Sequence, residues 1–271
     1  MNDEPFRPVK AYRDEEFLGS RAARPLRILA EYLEPEERFR QARVRDTIVV
    51  FGSSRFSSAE VAQAALKTAK AAGGDLTEAE RDVKMSRYYE DARALSARLT
   101  QWSKGLDRED KRFVICTGGG PGIMEAASRG ASEAKGLNIG LNISLPFEQI
   151  ANPYVTRNLT FEFHYFFTRK FWFAYLSKAI IAMPGGVGTL DELFETLTLM
   201  QTGKIRKKVP IILYGKEYWD RAVDFQALVE FGTINAEDLK LMHRSDSVDD
   251  AFEYLTTELT NNHLSDPNPY M

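Results

Sequence analysis

IIAMPGGVGTLDE, residues 180–192, runs from an apolar stretch through three glycines into a helical pattern. Residues apolar on both faces mark a buried parallel strand, and a glycine turn feeding a helix is the joint of a crossover connection. The joint recurs upstream, where residues 112–117 read as a buried strand, 118–122 as its glycine turn and 123–131 as the following helix. Further strands are expected over 46–51, 138–143, 158–163, 178–183 and 209–214, with an aromatic-rich helix over 165–177 and another over 189–200. The chain after residue 214 reads as helices. Strands alternating with helices at this spacing need right-handed crossovers. The expected fold is therefore α/β: a Rossmann-like, doubly wound, mostly parallel sheet with helices on both faces.

An N-terminal helical extension is expected over residues 1–45, the nucleotide-binding catalytic domain over 46–262, and a C-terminal tail over 263–271. In the extension Leu26, Leu29 and Leu33 share one helical face, and the segment is expected to pack on the following domain. Between the first two strands, Ser57 or Ser58 is expected to open one helix and Thr77 a second, Ser57 with Glu60 and Thr77 with Glu80 having capping-box spacing, and Gly73-Gly74 separates the two helices. Composition narrows the classes. With 271 residues and 44% hydrophobic content a large core is available, and a net charge of −3 lacks the basic footprint of a nucleic-acid binder. The lone Cys116 makes no intrachain disulfide, no signal-peptide pattern opens the chain, and no window approaches the roughly 20 apolar residues of a membrane span. A cytoplasmic protein with neither nucleic-acid nor membrane partners is expected.

Ligands of open α/β sheets bind beyond the carboxyl ends of the strands. Three turns lie there: Gly52-Ser53-Ser54, Gly118 to Gly122, and Gly185 to Thr189. Glycine permits close backbone approach, and a helix start offers free N–H groups to an anion, although a glycine that merely closes a turn has the same look. Neither long turn gives GxGxxG, no GxxxxGK[ST] occurs, and His164, His243, His263 and Cys116 are too scattered for a metal site. The expected ligand is a smaller phosphate ester such as a mononucleotide, with no cofactor and no metal.

TGGGPGIMEA (117–126) and PGGVGTLDE (184–192), with the Arg169-Lys170 pair between them, resemble the LOG ("Lonely Guy") phosphoribohydrolases, a family often labelled possible lysine decarboxylases. The resemblance runs from about residue 47 to 255, and the long helical insertion suggests a bacterial-type member. It implies hydrolysis of the N-glycosidic bond of a nucleoside 5′-monophosphate, AMP or a cytokinin riboside 5′-monophosphate, to free base and ribose 5-phosphate. Arg169 and Glu192 are then catalytic. Gly185, Gly186, Gly188 and Thr189 would hold the phosphoribosyl group, with Lys170 and Glu148 nearby. Ser53, Gly119, Gly120, Gly122 and Met124 complete the substrate-binding set. Lysine decarboxylation would ordinarily need a pyridoxal phosphate Schiff-base lysine, and neither Lys170 nor Lys178 has such a context. The family also implies a homo-oligomer, and similar folds include a molybdenum-cofactor carrier, so non-catalytic binding is the alternative function.

Each residue also has a plainer reading. Thr189-Leu-Asp-Glu192 has capping-box spacing, so Glu192 is open to a role as a helix cap as well as a carboxylate beneath an oxocarbenium-like ribosyl centre. Arg169 and Lys170 read equally as a solvated helix corner. The aromatic run Phe161 to Phe173 reads mainly as core, and Ser53 as either a turn former or a phosphate contact.

Overall fold

The computed structural model describes residues 7–106, 110, 112–146 and 150–264. Helices α1 (Glu15–Gly19) and α2 (Arg24–Gln41) precede strand β1 (Thr47–Phe51), and α3 (Ala59–Ala72) and α4 (Thr77–Lys104) lead to β2 (Val114–Thr117). Next come α5 (Ile123–Glu133), β3 (Asn138–Ile143), β4 (Thr160–Phe163), α6 (Phe166–Leu176), β5 (Ser177–Ala182), α7 (Val187–Gln201) and β6 (Ile211–Tyr214). Helices α8 (Lys216–Ala222) and α9 (Phe225–Glu230), strand β7 (Met242–Ser245) and α10 (Val248–Leu259) complete the described chain.

The strands form one sheet in the order β4-β3-β2-β1-β5-β6-β7, every pairing parallel. Alternation along β1 divides the core between the two faces. Val49 and Phe51 join Trp172 and Phe173 of α6, Leu193 of α7 and Trp219 of α8. Ile48 and Val50 face Tyr88, Leu95 and Leu99 of α4, Ile123 of α5 and Leu255 of α10. This is the doubly wound architecture expected, with β1 central and the direction of winding reversing between β1 and β5.

Three local details depart from expectation. First, β7 adds a seventh strand where only helices were read. Its sequence, Met-His-Arg-Ser, lacks an apolar run because it lies at the sheet edge and is only partly buried. Second, α2 packs on the domain as expected but not through its leucines, since Leu26, Leu29 and Leu33 remain about half exposed, 49%, 50% and 49%. Helix α2 instead buries Pro35 and Phe39, and the Phe39 ring lies 4.9 Å from Phe161 and 5.3 Å from Trp172. Third, the capping boxes do not form. Ser58 alone caps α3 by accepting from Val61 N–H, while Thr77 is the first residue of α4 and Asp75 accepts its N–H. The Gly73 break is borne out: it ends α3 in the left-handed conformation, φ +68°.

The candidate active site

Because β1 lies between β2 and β5, the turns following these three strands meet at the carboxyl edge. Backbone bonds lock them together. Ser53 N–H donates to the Pro184 carbonyl (2.9 Å), and the Ser53 carbonyl accepts from Ile123 N–H (2.9 Å). Gly122 seals the joint at φ +72°, and a Cβ there would stand 2.3 Å from the Ser53 carbonyl oxygen. The Ser53 hydroxyl accepts from Arg55 N–H (3.1 Å), which gives this side chain a turn role.

The β2 turn is braced from outside. Asn152 donates through its side chain to the carbonyls of Gly119 and Gly120 (both 3.0 Å), and its N–H donates to the Gly119 carbonyl (2.8 Å). Gly119 is also left-handed, φ +73°, and a side chain there would strike Asn142. Met124 lies in the first turn of α5 with its sulfur over Gly118. On the other side, Gly185 packs against Thr189, and the Tyr218 hydroxyl donates to the Gly185 carbonyl. Gly186 and Gly188 are exposed. Sequence reading missed Asn152, Asn142 and Tyr218; only the Asn152-Pro153 dipeptide offered a turn signal.

Helices α5 and α7 both begin at a glycine N-cap, Gly122 and Gly186, without a side-chain cap. That start settles the capping-box question. Thr189 is the third residue of α7, not its N-cap, and Glu192 lies in the second turn, where backbone N–H groups are already bonded within the helix. Glu192 is therefore free of the cap role.

Its side chain, in a residue only 6% exposed, meets Arg169 of α6, with Nη2 to Oε1 at 3.3 Å. Burial raises the Glu192 pKa to about 7, although Arg169 and Lys170 pull it down. The same burial lowers the Arg169 pKa from its ordinary value, against the pull of Glu192 and Asp191. The guanidinium lies 5.1 Å from the Phe166 ring centre and 5.6 Å from that of Phe173, and its Nε has no hydrogen-bond partner. A solvated helix corner is thus wrong for Arg169. Lys170 turns to the exposed side of α7, pairing with Asp191 (2.8 Å) and Glu195 (2.9 Å). Burial disfavours its ammonium, but those two carboxylates outweigh it and hold the pKa above the ordinary lysine value. Glu148 lies outside the described residues. Of the aromatic run, Phe161, Phe163, Tyr165, Trp172 and Phe173 are core, whereas Phe166, Phe167 and Phe171 are exposed.

What this arrangement supplies is a buried carboxylate that titrates near neutrality, a fixed cation beside it, and two uncapped helix starts close by. Uncapped N–H groups and the helix dipole favour an anion. A carboxylate poised near pH 7 is matched to general-base work.

Seven parallel strands in this order, covered by helices on both faces, define a Rossmann-like α/β protein. Residues 124–255 match the family described as "Possible lysine decarboxylase", which bears out the resemblance over the stretch holding Arg169-Lys170 and PGGVGTLDE; the glycines at 118–122 lie outside the match. A curated relative, cytokinin riboside 5′-monophosphate phosphoribohydrolase of Rhodococcoides fascians, is 30% identical over 125 residues, which make up 44% of this chain and 61% of the relative. The chain thus spans about three-fifths of the length of that relative. Among solved structures, the molybdenum cofactor binding protein of Rippkaea orientalis is 20% identical, with 80% of this chain and 98% of that chain covered and a TM-score of 0.49. The molybdenum cofactor carrier protein of Chlamydomonas reinhardtii is 18% identical, with 80% and 99% covered and a TM-score of 0.48. No described helix is long and apolar enough to cross a membrane.

Proposed function

We propose that the protein hydrolyses the N-glycosidic bond of a nucleoside 5′-monophosphate, AMP or a cytokinin riboside 5′-monophosphate, releasing the base and ribose 5-phosphate. The observation that carries this reading is the buried Arg169–Glu192 pair, set beside two helix starts that no side chain caps. The phosphate sits at those starts, with Gly186 and Gly188 allowing close approach. Glu192 lies about 7.5 Å along the axis from the first residue of α7, at 1.5 Å per residue. That rise suits the reach from a 5′-phosphate to the anomeric carbon of its ribose.

Cleavage of the C1′–N bond leaves positive charge on the ribose ring, which an ionised Glu192 stabilises. The carboxylate also takes a proton from the attacking water as its oxygen bonds to C1′. The bonding electrons leave with the base, which takes up a proton in turn. Arg169 holds Glu192 in place, and its Nε–H has no partner among the described residues. The name of the Rhodococcoides fascians relative agrees with this chemistry.

Incubation with AMP and with an N6-prenylated counterpart, followed by chromatography of the products, tests the proposal. Free base and ribose 5-phosphate are expected. Nucleotide bound and recovered intact would instead identify a binding protein. Since Glu192 acts ionised, kcat/KM should rise with pH through about 7 and level above it. A profile flat from pH 5 to 9 would exclude that role. Arg169→Lys retains charge but loses the planar fork, and kcat should fall about 10- to 100-fold while the protein stays folded. Parental activity in that variant would remove Arg169 from the mechanism.

A further inference from the structure

The lead-in to α6 is held by a side chain, whereas no side chain caps α5 or α7, and the residue that holds it comes from the N-terminal extension. Glu31, on α2, accepts the N–H of His164 at Oε1 (2.7 Å) and the N–H of Tyr165 at Oε2 (3.3 Å). The Thr168 hydroxyl lies between that second oxygen and the Tyr165 carbonyl. The Glu31 backbone carbonyl in turn accepts the indole N–H of Trp172, one turn further along α6 (3.0 Å). One residue of α2 therefore grips α6 and the two residues before it at four points, Tyr165 being the N-cap of that helix and having no side-chain cap bond of its own.

Arg169 immediately follows Thr168. The Tyr32 and Phe39 rings on Trp172 (5.7 and 5.3 Å), and Arg38 bonded to the carbonyls of Asn158 and Thr160, fix α2 against the same corner. We infer that Glu31 is a positioning residue: by binding, from another helix, the two N–H groups that lead into α6 and the Thr168 hydroxyl of its first turn, it holds Arg169 against Glu192. A carboxylate at a helix start satisfies free N–H groups and the dipole together, so its removal frays the turn that carries Arg169. The catalytic part of this inference rests on the proposed hydrolysis; the positional part does not.

The test compares parent, Glu31→Ala and Glu31→Gln, following the Glu192 carboxyl titration by NMR with carbon-13-labelled glutamate, assigned by its absence in Glu192→Gln. The charged groups facing Glu192 are Arg169 and Lys170 from α6 and Asp191 and Glu195 from α7. Deleting the negative charge of Glu31 would by itself draw the Glu192 midpoint down. Displacement of Arg169 pushes it up, so the direction reports which effect operates. For Glu31→Ala an upward shift is expected, with faster amide exchange at His164 and Tyr165, kcat at least tenfold lower and KM within threefold. Glu31→Gln, which keeps one accepting oxygen, should recover part of each change. If Glu31→Ala does not fold, the smaller upward shift in Glu31→Gln decides. A midpoint that is unchanged or lower overturns the inference, even where activity has fallen. If the parent releases no base from any monophosphate, the proposed hydrolysis fails while the titration still judges the positioning role.

Discussion

Glu192→Gln is expected to remove base release almost entirely, with kcat down by about 10³-fold, while making the protein more stable at alkaline pH. Glutamine matches the shape of the side chain but carries no charge and takes no proton from water. The stability effect follows from linkage. In the folded protein burial holds the Glu192 pKa at about 7, against an ordinary value of 4.5, so the fold binds this proton more tightly than the unfolded chain does. Stability from this group is fully present below pH 4.5 and is lost as pH rises through about 7. By pH 8 the ionised carboxylate costs about 3 kcal/mol, at roughly 1.4 kcal/mol per pKa unit. Glu192→Gln should escape that cost and resist urea better than the parent by about 1–3 kcal/mol at pH 8, with the two nearly equal at about pH 4.5. A variant less stable at pH 8 would mean that the ion pair with Arg169 outweighs desolvation. Parental base release would exclude Glu192 from the reaction.

Gly122→Ala is expected to be among the most damaging single-methyl additions. The new Cβ would stand 2.3 Å from the Ser53 carbonyl oxygen and 2.7 Å from Ser54 Cα, in a backbone conformation at φ +72°, ψ −130° that side chains strongly disfavour. Both obstacles are backbone, so neither can rotate away. A loss of about 3 kcal/mol or more is expected in chemical denaturation, with base release abolished as the joint between the β1 and β2 turns opens. Gly188→Ala is the contrast. A Cβ at that position would have no atom within 4 Å and the φ there is not positive, so stability should hold or rise slightly, since alanine favours a helix. Its effect should show as a higher KM for the nucleotide, because the methyl meets the ligand rather than the protein. Equal stability of Gly122→Ala and the parent would mean that the three turns are not locked together through Gly122.

Strands with continuous apolar runs, such as 48–51 and 179–183, could be read directly because burial on both faces leaves a composition that little else shares. The edge strand β7 carries no such mark, since half its surroundings are solvent. Helix α2 misled for the opposite reason. Its leucine stripe has the right period, but Phe39 and Pro35 find the core, and periodicity alone does not say which apolar face wins. At the site, spacing made Thr189 look like a cap; the helix starts earlier because a glycine can open it with bare N–H groups. Arg169 and Glu192 stood out through their motifs, and the structure brings their side chains together. Glu31 was illegible, as its partners lie more than 130 positions away and its local sequence is that of any solvated helix.

The position of β1 between β2 and β5 also has a meaning in time. During synthesis β1 and β2 emerge early with the α5 half of the cradle, but the second neighbour of β1 does not exist until Ser177 has been made. Until then the centre of the finished sheet is an unprotected edge with one row of backbone groups unpaired, a template for pairing with other chains. Insertion of β5 closes that edge and brings α7, with Glu192, beside the waiting turns. The step that removes the sticky edge is therefore the step that completes the candidate site.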